Sequence, residues 1–186
     1  CRVGRRAVEV QRIRCKACGR THSLLPDFLH PYRHYVISLL QWVVYLYLLA
    51  GLGINRLMER VVGRGPVRST VREWVTSFAY GAGELLFDLL RRQLMALSPL
   101  AELPETPPPK HLDRVTNPTK RRYLANAHHF WQLTEYLYAQ SKTRVPRLHF
   151  RVDQLFSFIL HWLQSQDVPP RLFWSPRLST TPTEPF

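Results

Sequence analysis

The chain has 186 residues, of which 45% are hydrophobic, so its composition excludes a disordered chain and supports a folded core. Its 26 Lys and Arg against 13 Asp and Glu give a formal net charge of +13, which favours a polyanionic partner. Three cysteines, two of them closely spaced, argue against a disulfide scaffold and indicate a reducing compartment, so we expect a cytoplasmic protein.

The positive charge is concentrated in three blocks. Residues 1–34 hold eight Lys or Arg against two acids, residues 55–80 hold five against two, and residues 110–151 hold nine against two. This uneven distribution is typical of a binding footprint on nucleic acid. The alternative is a generally basic protein without a polyanionic partner.

The N-terminal segment predicts a small β-hairpin with a zinc-knuckle turn. Residues 7–15 partly alternate and are rich in β-formers, and Cys15-Lys16-Ala17-Cys18-Gly19 then forms a tight turn. Two thiolates on such a turn can hold one edge of a tetrahedral Zn²⁺, and Gly19 relieves the backbone after the second thiolate.

A structural zinc site normally needs four ligands, and the sequence holds no second Cys-x-x-Cys pair. Cys1 and His22 are the candidates that would complete a site with Cys15 and Cys18. Two other histidines, at positions 30 and 34, are further candidates. The alternative is a metal-free remnant of a knuckle.

Tyr35–Ala50 predicts a strongly apolar first helix. Residues 35–54 carry no charged side chain, a length that also suits a membrane-spanning helix. Gln41 and several tyrosines interrupt the apolar run, and Gly51 and Gly53 lead directly into the next helix. We therefore expect a helix that is buried by its neighbours rather than one that crosses a membrane.

Residues 54–78 predict a helix-turn-helix. Apolar residues recur at i, i+3, i+4, i+7 and i+8 from Ile54, and residues 63–66 end this second helix. Such a motif places its second helix in the DNA major groove. The alternative is an ordinary helical hairpin with a solvated face. The predicted buried stripe of the third helix consists of Val71, Trp74, Val75 and Phe78.

The outward face of this third helix is the first predicted contact with double-stranded DNA. Ser69 or Thr70 can cap the helix, and Thr70-x-x-Glu73 fits a capping box. The outward side chains are suited to base edges and phosphates. They are Arg68, Ser69, Thr70, Arg72, Glu73 and Thr76.

The remainder of the chain predicts more helices and two Pro-rich segments. A fourth helix is expected over Glu84–Leu97, and two more over Thr119–Gln140 and Val152–Gln164. The predicted division is a knuckle-like hairpin and connector (1–34), a helix-turn-helix domain (35–98), an extended Pro-rich linker (99–118), a C-terminal helical segment (119–168) and a tail that is disordered or loosely docked (169–186).

Lys120, Arg121 and Arg122 open the first C-terminal helix and are the second predicted DNA contact. Aromatic residues follow them, and a basic cluster with interleaved aromatics suits phosphate contact and base stacking. The alternative for the aromatic residues is a packed face behind a solvated helix start.

The acidic residues do not predict a catalytic site. A nuclease or strand-transfer site needs carboxylates clustered around metal ions, whereas Asp88, Asp113, Glu135 and Asp153 share no strand or common face. No Gly-rich phosphate loop, nucleophile elbow or HExxH motif is present. We therefore expect a protein that is not an enzyme.

The segment RIRCKACGRTHSLLPDFLHPYRHY, followed by GLGINRLMERV and STVREW, resembles a family of uncharacterised bacterial domains associated with mobile elements. These look like the N-terminal zinc-ribbon and helix-turn-helix part of a transposase without its catalytic domain. The resemblance covers residues 5–98. It implies that Cys15 and Cys18 are zinc-ribbon ligands and that Arg68–Trp74 opens the recognition helix. The missing first knuckle is the departure from the family pattern.

The sequence as a whole predicts a mainly α protein, a helix-turn-helix bundle with a small zinc-ribbon-like β-hairpin and a C-terminal helical segment. We expect a DNA-binding, non-catalytic, transposase-like factor that acts with DNA and other transposition proteins. The main alternative is a basic interaction or scaffold protein for an acidic partner or a membrane surface. A third is an enzyme whose catalytic domain was lost or lies in a partner.

Overall fold

A computed structural model shows that the protein is mainly helical, as predicted. The residues that it describes are 2–3, 7–26, 28–29, 35–63, 65–97, 103–104, 106–144 and 154–174.

Within these residues there are six α-helices, one π-helical segment, one 3₁₀ helix and four short strands. The helices are α1 (Ile37–Leu48), α2 (Ile54–Arg60), α3 (Arg68–Tyr80), α4 (Phe87–Leu97), α5 (Pro118–Arg144) and α6 (Leu155–Ser165). The π-helical segment is Gly81–Leu86 and the 3₁₀ helix is Lys110–Arg114. The strands are β1 (Arg2–Val3), β2 (Gln11–Arg14), β3 (Thr21–Leu24) and β4 (Val62–Gly63).

The predicted N-terminal hairpin is present. Strands β2 and β3 pair antiparallel, with Gln11 opposite Leu24 and Arg14 opposite Thr21. All four residues of β2 are exposed, so this strand contributes no face to the hydrophobic core. A second, parallel pair joins β1 to β4, with Arg2 opposite Val62, and thereby ties the start of the chain to the connection between α2 and α3.

Helix α1 lies in the core, with eight of its twelve residues buried. Its buried Gln41 is satisfied within the protein, because the Phe156 backbone N–H donates to Gln41 Oε1 at 2.9 Å at the start of α6. Across the described ranges, no helix has both the length and the apolar character needed to cross a membrane.

Helices α3 and α4 form one continuous rod through the π-helical segment, so the predicted start of a separate fourth helix at Glu84 is wrong. The glycines of this segment allow close backbone approach rather than ending a helix. A Cβ at Gly81 would lie 2.3 Å from the Leu172 carbonyl oxygen, and a Cβ at Gly83 would lie 2.1 Å from the Tyr123 carbonyl oxygen.

The predicted caps of α3 are also wrong. The helix begins at Arg68, and its N-cap is Val67, an extended residue that makes no side-chain capping bond. Val67 already accepts the first helical hydrogen bond, from Val71 N–H at 3.1 Å. Ser69 and Thr70 therefore lie inside the first turn, two and three residues beyond the N-cap position from which a side chain caps.

The predicted Pro-rich linker packs partly on the core. Leu112 of the 3₁₀ helix is buried, and Leu103 is partly buried against the same core. Thr106 Oγ1 also accepts a hydrogen bond from Gln132 Nε2 of α5. The segments predicted as separate, 35–98 and 119–168, thus share one hydrophobic core, to which α1, α3, α4, α5 and α6 all contribute.

The predicted disorder from Pro169 is wrong for residues 169–174; residues 175–186 lie outside the described part of the chain. Leu172 and Phe173 are 0% and 1% exposed. The Trp174 backbone N–H donates to the Ser77 carbonyl oxygen of α3 at 3.0 Å. Pro169 and Pro170 disfavour a helix in this segment, but they do not prevent burial. Leu172 and Phe173, which follow them, lie in the core.

The buried His128 and the half-buried His111 lie near each other, and each has one ring nitrogen without a hydrogen-bond partner among the described residues. His128 Nδ1 of α5 and His111 Nε2 of the 3₁₀ helix have no partner among the described residues. Burial, followed by the positive charges of the neighbouring His129 and His111, lowers the pKa of His128 to about 4. Burial also lowers the pKa of His111, with Arg114 adding to this and the Tyr47 backbone and Asp113 opposing it.

This pair predicts an acid-labile fold. Because the folded pKa of His128 lies below the unfolded value, the unfolded state binds more protons, and stability should fall as the pH drops from about 6.5 toward 4. We expect His128→Leu to remove about 1 to 3 kcal/mol of this pH dependence. Urea unfolding between pH 4 and 7 measures it, with the exposed His161→Gln as control. Parallel pH profiles for wild type and His128→Leu would contradict the prediction.

Candidate nucleic-acid interface

Helices α2 and α3 pack together, as a helix-turn-helix requires, but their connection is longer than the usual turn of three or four residues. Seven residues, 61–67, separate the two helices, and two of them form β4. The pairing of β4 with β1 holds this connection. Gly65, Pro66 and Val67 then lead into the first turn of α3, and Val67 is extended.

The two sides of α3 differ as the periodicity predicts. The predicted stripe, Val71, Trp74, Val75 and Phe78, is buried, at 4% exposure or less. Arg68, Ser69, Arg72 and Glu73 are exposed, whereas Thr70 and Thr76 are only half-exposed. The accessible surface of α3 is therefore confined largely to its first two turns. Those are the turns from which a recognition helix contacts base edges.

A buried aromatic side chain holds this surface from behind. Trp74 is 1% exposed and meets Tyr35 edge-to-face, with ring centroids 4.8 Å apart. Such pairs add to the stabilisation from burial alone. The exposed start of α3 is thus backed by a rigid support from the segment that precedes α1.

Arg72 lies near the hydroxyl of Tyr47 at the end of α1. Burial raises the pKa of Tyr47, and the positive charge of Arg72 opposes that rise. Sequence reasoning placed Arg72 outward correctly but gave no indication of this neighbour. The Arg72 side chain is therefore near Tyr47 and is itself exposed.

The basic triplet lies at the start of α5. The Lys120 backbone N–H donates to Asn117 Oδ1 at 2.9 Å, so Asn117 caps the helix and directs the first turn outward. Arg121 is exposed and Lys120 is half-exposed. Arg122 forms a two-pronged ion pair with Glu84 of the π-helical segment, at 3.0 and 3.1 Å.

The structure does not bring the two predicted DNA contacts together. Glu84, the partner of Arg122, lies sixteen residues beyond Arg68 on the α3–α4 rod. At the rise of a helix, that separation is about 24 Å. The triplet and the start of α3 are therefore separate basic zones rather than one patch.

The knuckle turn has a geometry that favours thiolate. Cys15 N–H donates to Arg20 O at 2.8 Å, Gly19 N–H donates to Cys15 O at 2.9 Å, and Gly19 has a φ of 68°, which favours glycine. The backbone N–H of Cys18, then its thiol and the N–H of Ala17, lower the pKa of Cys15. Donors aimed at the first sulfur fit a metal-binding turn.

The other predicted metal ligands are not described. Cys1 lies outside the described residues, as do the side chain of His22 and residues 30 and 34. Within the described part of the chain, no group of three or more His, Cys, Asp or Glu lies close enough to hold a metal ion. Cys15 and Cys18 are thus the two candidate ligands whose geometry is known.

Sequence reasoning missed the basic side chains of the hairpin as individual candidates. Arg12, Arg14, Lys16 and Arg20 are all exposed. Arg14 Nε also donates to Gly19 O at 3.2 Å, which places one arginine across the knuckle turn. The net positive charge of residues 1–34, which hold eight basic and two acidic residues, could have indicated these side chains.

Comparisons with known proteins reach only the N-terminal part of the chain. No curated protein and no solved structure matches it. A family model described as a domain of unknown function, DUF6431, matches residues 2–47, which span the hairpin, the knuckle and most of α1. Residues 2–47 are therefore similar to a domain family to which no function is attached.

Proposed function

We propose that this protein binds double-stranded DNA through the start of α3, as a non-catalytic, transposase-like factor of a mobile element in the cytoplasm. The proposal rests on the difference in exposure between the two sides of α3. Its first two turns expose Arg68 and Arg72, while the opposite side is packed on a rigid core. A helix start that is packed on one side and exposes two arginines on the other suits groove entry and phosphate contact.

The overall charge supports a nucleic-acid partner. A formal net charge of +13 attracts a polyanion, and the hairpin exposes further basic side chains at Arg12, Arg14, Lys16 and Arg20. The connection between β1 and β4 ties the start of the N-terminal region to the turn before α3. The mobile-element context rests on the resemblance of residues 5–98, and transposition proteins are the proposed partners.

Two arginines should have different roles. An arginine that reads a guanine edge discriminates against other bases by about 1–3 kcal/mol, so Arg72→Ala should relax specificity roughly 5- to 150-fold. Arg68→Ala at the helix entrance should instead weaken binding to all duplexes and lower the salt slope by about one. Binding isotherms at several salt concentrations, on duplexes selected from a random library and on random duplexes, separate the two effects.

Arg92→Ala is the matched control, because Arg92 is exposed on α4 and bonds the backbone of its own helix at Asp88. Polyglutamate as a competitor tests the alternative of a scaffold for acidic partners. DNA affinity unchanged in both Arg68→Ala and Arg72→Ala would refute recognition by α3. Polyglutamate that binds as tightly as DNA at equal charge would favour the scaffold.

Substitution of Arg121 in the basic triplet tests the orientation of α3 in the DNA groove. If α3 lies lengthwise along the groove, a contact about 24 Å from Arg68 lies over phosphates roughly seven base pairs away. If α3 enters with its N-terminus, the triplet points away from DNA. Arg121→Ala weakens binding in the first geometry and leaves it unchanged in the second.

We also propose that Cys15 and Cys18 hold one Zn²⁺ per chain, with Cys1 and His22 as the proposed remaining ligands. The lowered pKa of Cys15 supports this, because only the thiolate binds metal. In this role Zn²⁺ would stabilise the hairpin rather than take part in a reaction.

The zinc content of the chain should depend on the thiols of Cys15 and Cys18. We expect about one zinc per chain by elemental analysis, near zero for Cys18→Ser, and wild-type content for Lys16→Ala in the same turn. Binding should weaken as the pH falls, since protons compete for sulfur. A wild-type chain that takes up no zinc when zinc is supplied would show that the knuckle is a remnant.

A further inference from the structure

A cavity of about 310 Å³ lies between α4, α5 and the Pro-rich segment that precedes the 3₁₀ helix. This volume is at the lower end of the range for small-molecule sites, and about twice that of an apolar cavity that holds one benzene ring. Its apolar wall is formed by Phe87, Leu103, Pro104, Pro107, Pro108 and Leu133.

Two polar side chains, Arg91 and His129, also line the cavity. Arg91 makes no hydrogen bond or ion pair within the described residues, whereas its neighbour Arg92 bonds the Asp88 carbonyl oxygen. His129 packs its ring near Phe87, with centroids 6.2 Å apart. Among the described residues that line the cavity there is no carboxylate, and Arg91 is their one side chain with a formal charge.

The wall of the cavity is anchored rather than loosely placed. Leu103 packs on the core at one end of the Pro-rich segment, and Leu112 is buried beyond the other end. Between them, Thr106 accepts a hydrogen bond from Gln132 of α5. Prolines at this wall limit its backbone freedom, so little ordering would accompany binding.

We propose that this cavity binds a small carboxylic acid with an aromatic body of one or two rings. The rings would lie against Phe87, Leu133 and the prolines, while Arg91 pairs with the carboxylate and His129 donates a second hydrogen bond. An unpaired guanidinium beside an apolar wall is complementary to an amphipathic anion. Neither a neutral apolar compound nor a cation would satisfy both parts of the lining.

This site is separate from the proposed DNA surface. Arg91 lies twenty-three residues beyond Arg68 on the α3–α4 rod, which corresponds to roughly 35 Å. Binding in the cavity therefore needs neither Arg68 nor Arg72.

Isothermal titration of the full chain with 1-naphthylacetate and its uncharged amide tests the proposal. We expect one saturable site for the acid, about tenfold or more weaker binding of the amide, and the same loss for the acid in Arg91→Ala. Arg92→Ala should bind the acid as wild type does. Because Arg91 is exposed, its replacement should leave the fold intact, which a melting curve checks.

Three results would overturn the assignment. They are no saturable binding of the acid at millimolar concentration, equal binding of acid and amide, and wild-type affinity in Arg91→Ala. Self-association of the chain that Arg91→Ala abolishes, without acid binding, would assign the cavity to a second copy instead.

Discussion

Gly83→Ala is expected to destabilise the fold by about 3 kcal/mol. The added Cβ would lie 2.1 Å from the Tyr123 carbonyl oxygen and 2.9 Å from the Ala127 backbone nitrogen, both of which belong to α5. Backbone atoms cannot move aside as a flexible side chain can, so the π-helical segment and α5 must separate. Their separation would also break the hydrogen bond from Asn126 Nδ2 to the Gly83 carbonyl oxygen, now 3.0 Å long.

Gly53→Ala is the matched control. A Cβ at Gly53 meets no atom within 4 Å, and its φ of −64° suits any residue. Its effect should stay within about 1 kcal/mol. Urea unfolding followed by circular dichroism measures both variants. Equal stability of the two would mean that the rod and α5 do not approach as closely as described.

Phe173→Ala is expected to cost about 3–5 kcal/mol, as for other fully buried phenylalanines. The Phe173 ring contacts Phe78 of α3, at a centroid distance of 5.6 Å, and Phe156 of α6, at 6.0 Å. Removal of the ring leaves a cavity where three segments of the chain meet.

Pro170→Ala provides the comparison in the same segment, because Pro170 is exposed and should change stability by less than about 0.5 kcal/mol. A disordered tail would instead make both substitutions neutral. Thermal melting of the two variants therefore decides whether residues 169–174 belong to the core. A neutral Phe173→Ala would contradict the packing described above.

Much of the helical core was predictable because burial follows a simple period. The stripe from Val71 to Phe78 recurs at 3.6 residues, and the structure buries all four of its members. The continuation of α3 into α4 was not predicted, because glycine, present at positions 81 and 83, can mark either a helix end or a close backbone approach. Only the partner segment distinguishes the two, and that partner is distant in sequence.

The Pro-rich segments were misjudged for a related reason. Proline disfavours a helix interior, but it does not prevent nearby apolar residues from being buried, as Leu112 and Leu172 show. In the candidate interface, the outward direction of Arg68 and Arg72 followed from the period. The ion pair of Arg122 with Glu84 could not be predicted, because 38 residues separate its members and nothing in either segment indicates the other.

The core is completed by residues that are made about 100 residues after the start of α3, and this has a consequence for folding during synthesis. Helix α3 receives its last contacts from Phe173 and Trp174, and α1 caps α6 across 115 residues. A ribosome releases the start of α3 long before it makes these residues. The proposed DNA-binding surface should therefore stay incompletely folded until residues 172–174 have been made, and contacts of such long range form slowly. A transcript cut short before residue 172 would then yield a chain that is unable to compete with the intact protein for DNA.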